Sequence, residues 1–169
     1  MDQILVFDVW ADYAHFRKYY STTSPLTFSV PPKTVIYGLL SAIIGLDKSQ
    51  YLEYFQTDKC KVGVQVLNPI KKTRINLNLI NTKKAKMMSR IKNRTQIKTE
   101  YLKDVKYRLY ISHADEEIYN KLKEYIKEHK SIYSISLGLS ENLANFEYIG
   151  EYKVEEVIDN QEWVELVTA

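Results

Sequence analysis

An α+β domain of the order strand–helix–strand, basic insert, strand–helix–strand is predicted by three features of the 169-residue chain. Short runs alternate apolar and polar residues with a period of two, as half-buried strands do. Two other runs repeat their apolar residues at helical spacing. Between them, Asp58 to Arg108 holds fifteen basic residues against three acids, a net +12, while the remainder carries nine against eighteen, a net −9. A near-neutral average of +3 therefore hides a cationic segment on an acidic body. Such a segment attracts phosphate backbones and releases their counterions; the plainer reading is a solvated lysine-rich surface.

The elements follow in order. Gln3 to Val9 (QILVFDV) reads as a buried strand. Trp10 to Ser24 is polar and aromatic and ends in Ser21-Thr22-Thr23-Ser24-Pro25, which is loop chemistry. Leu26 to Val30 suits a brief extended piece. Pro31-Pro32-Lys33-Thr34 opens a helix, because a proline there gives up only an N–H that had no helical partner. Val35, Ile36, Leu39, Leu40, Ile43 and Ile44 form its apolar face and Gly45 is its stop. Gly38 inside that helix is costly, and a close approach of helix to strand would account for it. Tyr51 to Phe55 reads as a short helix or turn.

Val62, Val64 and Val66 mark the second strand, ended by Asn68-Pro69. Ile75, Leu77 and Leu79 alternate with asparagines as another strand. Thr82 to Thr99 is cationic without a clean period. Tyr107, Leu109 and Ile111 alternate again, Asp115 to His129 is helical, and Phe146, Tyr148 and Tyr152 mark a last strand. Trp163 to Ala169 also looks strand-like. Without its insert this is βαββαβ, the ferredoxin-like or RRM-like pattern. The insert, about residues 69–106, falls where a hairpin connection belongs. Nearly forty residues between Asn68 and Tyr107 are too many for a structureless loop, so a projecting β-hairpin is expected. A hairpin alone is marginal, and this one is expected to gain order from RNA or another subunit. The whole chain, 1–169, reads as one domain.

Hydrophobic content of 45% excludes global disorder. One cysteine, Cys60, allows no internal disulfide and fits a reducing cytosol; it has no cysteine or histidine near it in sequence, so no metal or other cofactor is expected. No signal peptide or bilayer-spanning run is visible, which points to a cytoplasmic protein without membrane contact. Fourteen tyrosines supply base-stacking candidates, or half-buried strand residues.

Two stretches resemble a known family. Ala14-His15-Phe16-Arg17, the Ser/Thr patch before Pro25, Pro31-Pro32-Lys33-Thr34, Tyr37-Gly38-Leu39-Leu40 and Ala42-Ile43-Ile44-Gly45-Leu46 make the first. Leu137-Gly138-Leu139-Ser140-Glu141-Asn142-Leu143-Ala144 makes the second. Together they are similar to the Cas-five family of RAMP proteins, the repeat-associated mysterious proteins of type I CRISPR surveillance (Cascade) complexes. The resemblance implies a subunit of antiviral defence that caps the 5′ handle of CRISPR RNA. It also implies that the basic insert acts as a thumb, folding over the RNA and meeting the backbone and large subunits. A I-B or I-A type of complex is expected.

On that resemblance Arg17 is a phosphate clamp, against a surface ion pair as the plainer role. Lys33 stands at a helix N-terminus, where a cation opposes the dipole unless an anion lies between them. Ser24 and Thr34 are expected to cap rather than to touch phosphate. Lys71, Lys72 and Arg74 fall on the thumb's ascending strand, and Arg90, Lys92 and Arg94 are its phosphate contacts. Met87 and Met88 would wedge against displaced bases or pack on a partner subunit. Gly138 is counted with the RNA-binding residues, where it permits a close backbone approach or a positive φ; a plain turn is the simpler role. No catalytic residue is assigned. His15 and His113 are candidates only for the alternative, a metal-free endoribonuclease like the type I-C branch, which cleaves precursor RNA with a tyrosine, a lysine and a histidine. The adjacent lysine–histidine pair of that branch is not apparent: Ser112 precedes His113, and Lys130 follows His129 in reversed order. His15 is expected to be structural, His113 to cap or pair at the surface. A generic RNA-binding regulator is the third reading.

Overall fold

A computed structural model describes residues 3–21, 23–47, 49, 51–80 and 94–154. In chain order the elements are β1 (Gln3–Ala14), α1 (Lys33–Ile44), α2 (Tyr51–Tyr54), β2 (Cys60–Val66), β3 (Lys71–Ile80), β4 (Arg94–His113), α3 (Glu116–Lys127) and β5 (Asn145–Lys153). The fold is mixed α and β around one antiparallel sheet of five strands. Its order is β2–β4–β1–β5, with β3 paired to the N-terminal half of β4.

The alternation read in the sequence becomes one buried sheet face. Leu5, Phe7, Val9 and Ala11 of β1 stand beside Ile111, Leu109, Tyr107 and Val105 of β4, and all are buried. Ile36, Leu39, Leu40, Ile43 and Ile44 of α1 and Ile118, Leu122 and Ile126 of α3 close over that face in the same core cluster. Burying side chains of this size contributes about 1.5–3 kcal/mol each. β1 runs five residues beyond the predicted Val9, because its pairing with β4 continues through Ala14 opposite Leu102.

Helix ends follow local chemistry in part. Gly45 stops α1 in the left-handed region at φ 76, as expected. Asp115 caps α3, its carboxylate accepting from the N–H groups of Glu117 and Ile118. α3 spans 116–127, shorter than the expected 115–129. At α1, however, the N-cap is Pro32 and no side chain caps it, so the expected capping by Ser24 or Thr34 does not occur. Gly38 also departs from expectation. It is exposed, and a Cβ there would meet nothing within 4 Å, so no close helix–strand approach requires it.

Between the second and third predicted strands the alternating RINLNLI run is strand, as expected, and pairs antiparallel with the first half of β4. β4 is a single strand of twenty residues serving both halves of the structure. Residues 107–113 pair with β2, whereas Arg94 to Lys103 pair with β3 over ten residue pairs. The change of partner occurs at Asp104, whose φ of 53 kinks the strand; aspartate is among the few non-glycine residues that accept that conformation. Asn68 Nδ2 donates to the Asp104 carbonyl at 2.9 Å and holds the kink. Arg94 to Thr99, which lack a clean period in the sequence, are therefore strand. Residues 81–93, and with them Met87, Met88, Arg90 and Lys92, lie outside the described residues, as does Trp163 to Ala169.

Candidate nucleic-acid interface

Opposed residues of an antiparallel pair share a face and neighbours along a strand alternate, so the β3–β4 register sorts its side chains. One face carries Lys72, Arg74, Asn76, Asn78 and Ile80 opposite Leu102, Glu100, Lys98, Gln96 and Arg94. That is four cations and one carboxylate, with amide side chains between them. The other face carries Thr73, Ile75, Leu77 and Leu79 opposite Tyr101, Thr99, Ile97 and Thr95. The ribbon is thus amphipathic, basic and amide-rich on one side and largely apolar on the other.

This sorting splits the predicted residues. Lys72, Arg74 and Arg94 share the basic face, joined by Lys98 from the cationic segment that lacks a clean period. Lys71 opposes Lys103 on the other face and pairs with Asp104 at 3.5 Å. Further along β4, Arg108 grips the buried Asp8 through two hydrogen bonds of 2.7 and 3.2 Å, and Lys106 adds a third contact at 3.4 Å. Those two cations share one carboxylate of the domain body. Arg74, Arg94 and Lys98 are exposed and make no ion pair among the described residues.

Lys72 and Glu100 tie the ribbon to the loop that follows β1. Lys72 Nζ reaches Glu100 at 3.1 Å and the Thr27 carbonyl at 3.3 Å. The Glu100 carboxylate also accepts from Thr27 N–H, and Glu100 N–H donates to the Pro25 carbonyl. Burial pushes the Glu100 carboxyl up, but the hydrogen bonds from Lys72 and Thr27, with the charges of Lys72 and Arg74, more than offset this and hold it below the usual glutamate range. Thr27 itself is fully buried and forms an isolated bridge with Arg17. Arg17 is therefore linked to Lys72 through Thr27. Its guanidinium donates to the Ser21 carbonyl at 3.2 Å, so it pins a turn of its own loop rather than forming an ion pair among the described residues.

The remaining candidates are distributed as follows. Lys33 is exposed at the first turn of α1, and its charge is felt by Cys60 rather than by the ribbon. Gly138 is a place of close approach: φ is 95, and a Cβ would stand 1.9 Å from the His15 carbonyl oxygen. His15 N–H donates to the Leu137 carbonyl across the same contact. The His15 ring is buried, with Nδ1 2.6 Å from the Glu100 carbonyl oxygen and Tyr101 packed beside it. His113, expected to cap or to pair at the surface, is buried and takes its partners from the main chain, one of them at the start of α3. Its Nδ1 accepts from Asp115 N–H at 3.0 Å, and its Nε2 donates to the Tyr54 carbonyl at 2.9 Å. It also stands opposite Cys60 in the β2–β4 register, a juxtaposition invisible in the sequence because the two are far apart along the chain. No group of three potential metal ligands occurs among the described residues. No helix there is long and apolar enough to cross a membrane.

Sequence reasoning overlooked the Thr27–Lys72–Glu100 junction. Its one available signal was Glu100, one of only three acids in the cationic stretch.

Several solved structures of similar fold come from CRISPR proteins and complexes. The chain superimposes with a TM-score of 0.61 on a chain of a structure described as a CRISPR RNA-guided surveillance complex, at 11% identity over 82% of this chain and 58% of that one. A chain of the Type III-B Cmr-beta bound to cognate target RNA and AMPPnP gives 0.59 at 13% identity, over 94% and 66%. A crystal structure of a CRISPR-associated protein gives 0.53 at 16%, over 89% and 69%. At such identities the likeness is one of fold, and the chain spans roughly three fifths to two thirds of the length of these relatives. No curated protein matches the sequence. The family described as CRISPR-associated protein (Cas_Cas5) matches residues 4–166, nearly the whole chain, and the protein belongs to that family.

Proposed function

We propose that this protein is a non-catalytic subunit of a type I CRISPR surveillance complex that binds and caps the 5′ handle of CRISPR RNA. The observation that carries this reading is the basic ribbon face, Lys72, Arg74, Lys98 and Arg94, rooted beside Arg17 through Thr27. A row of cations with interspersed amides fits a phosphate backbone and its sugars, giving sequence-tolerant grip. The ribbon is the thumb of this proposal, inserted between the second and third strands of a ferredoxin-like core. The βαββαβ order of β1, α1, β2, β4, α3 and β5, with strand order β2–β4–β1–β5, supports that description. The apolar ribbon face suits contact with a backbone or large subunit.

A non-catalytic role is supported by the two candidate histidines. Both rings are buried and engaged with main-chain groups, whereas a general base must reach the 2′-hydroxyl of its substrate. The test is incubation of the purified protein with precursor repeat RNA in EDTA, followed by co-purification with a crRNA-loaded backbone filament. Intact RNA and stable association with the filament are expected. Specific cleavage lost in His15→Ala or His113→Ala would establish the endoribonuclease instead. RNA binding without association with the filament would leave a generic RNA-binding protein.

A further inference from the structure

The loop after β1 presents a feature that phosphate binding does not use. Lys18, Tyr19, Tyr20 and Ser21 form a tight turn, closed by Ser21 N–H and the Ser21 hydroxyl, which both donate to the Lys18 carbonyl, at 3.1 and 2.7 Å. Arg17 and Leu26 N–H brace Ser21 from outside. The two central positions of such a turn project outward and usually hold small or polar residues. Here both are tyrosines, 88% and 60% exposed, set edge to face at 5.2 Å. Lys18 Nζ stands 5.7 Å from the Tyr20 ring centre. Aromatic rings already set against each other lose less in ordering when a flat partner arrives.

Charge decides which partner. From Tyr13 through Leu46 the sequence contains Arg17, Lys18 and Lys33 and no acid. The same loop abuts the basic ribbon face through Thr27, Lys72 and Glu100. Exposed π faces among cations, next to a phosphate track, match an unpaired nucleobase, whose stacking is tolerant of sequence.

We propose that the Tyr19–Tyr20 turn is a stacking site for an unpaired base of single-stranded RNA whose backbone lies on the ribbon's basic face. This rests on the RNA-binding reading above. The probe is short single-stranded RNA of mixed sequence carrying 2-aminopurine at successive positions, titrated with the full chain. Wild type quenches the fluorophore at one position. Tyr19→Ala and Tyr20→Ala weaken binding about 5- to 150-fold, the worth of one stacked base, without changing the salt dependence of affinity. Tyr19→Phe and Tyr20→Phe retain both quenching and affinity. Because the rings are exposed, melting temperatures of all four variants match wild type. Unchanged affinity and quenching in the alanine variants, while Arg74→Gln still weakens binding, overturns the stacking site and leaves the RNA reading intact. Full retention by Tyr19→Leu, or loss of subunit association instead of RNA binding, assigns the turn to an apolar protein contact and overturns the proposal. Absence of RNA binding by wild type overturns both readings at once.

Discussion

Replacing Arg74, Arg94 and Lys98 together by glutamine removes three cations from one face of the ribbon and none from the other. Each cation that meets a phosphate of a single strand contributes about −0.7 to the slope of log affinity against log salt. The triple variant should therefore flatten the slope by about 2, whatever other contacts the RNA makes. Between 50 and 200 mM salt, the fall in affinity should shrink by about 20-fold relative to wild type. Fluorescence anisotropy of an end-labelled single-stranded RNA, measured across that salt range, reads the difference directly. Lys71→Gln is the control that separates geometry from charge. Lys71 is next to Lys72 in sequence but lies on the opposite face, paired with Asp104, and its removal should leave the slope unchanged. If Lys71→Gln flattened the slope as much as Arg74→Gln does, or if the triple variant left it unaltered, the reasoning from strand register would be refuted. The first result would mean that only the net charge of the ribbon matters, the second that RNA lies elsewhere.

Two further outcomes follow from the interior. Gly138→Ala forces a Cβ to within 1.9 Å of the His15 carbonyl oxygen at a φ of 95, so it adds overpacking of about 1–3 kcal/mol to a backbone penalty of about 1–2 kcal/mol. At about 2–4 °C per kcal/mol for a chain of this size, the melting temperature should drop by about 4–20 °C, and a calorimetric midpoint within about 1 °C of wild type would show that the two loops part freely. Burial pushes the Cys60 thiol up to about 12, partly opposed by the charge of Lys33, so the folded protein should resist iodoacetamide at pH 8.5 and react on unfolding. Because the raised value belongs to the folded state, the contribution of this group to stability is complete below the unfolded thiol's value near 9 and declines as pH rises from there toward 12, which urea titrations over that range would detect. Rapid alkylation of the native chain would contradict it.

Much of this architecture was legible because the signals are local. A strand's period and the stop at Gly45 each depend on a few consecutive residues, and the structure places them where those residues predict. Local rules misled where a neighbour in space supplied what the sequence neighbourhood seemed to demand. Ser24 and Thr34 look like caps, yet Pro32 occupies the N-cap of α1 and neither hydroxyl reaches it. His113 looks like a surface residue beside an acidic helix start, yet Tyr54 and Asp115 supply main-chain partners that make its burial tolerable.

The candidate interface divides in the same way. Composition alone settled that positive charge is segregated into the stretch from Asp58 to Arg108, since a count needs no geometry. Which of those charges remain available was settled by pairing between distant strands. Arg108 and Lys106 are drawn to Asp8, a residue a hundred positions away from Arg108, and Lys71 is turned aside by a register in which a single-residue step reverses the face. The union of Arg17 with the ribbon likewise arises from Thr27, Lys72 and Glu100 meeting in space. Charge is a property of residues one at a time, whereas a surface is a property of which residues the backbone hydrogen bonds set side by side.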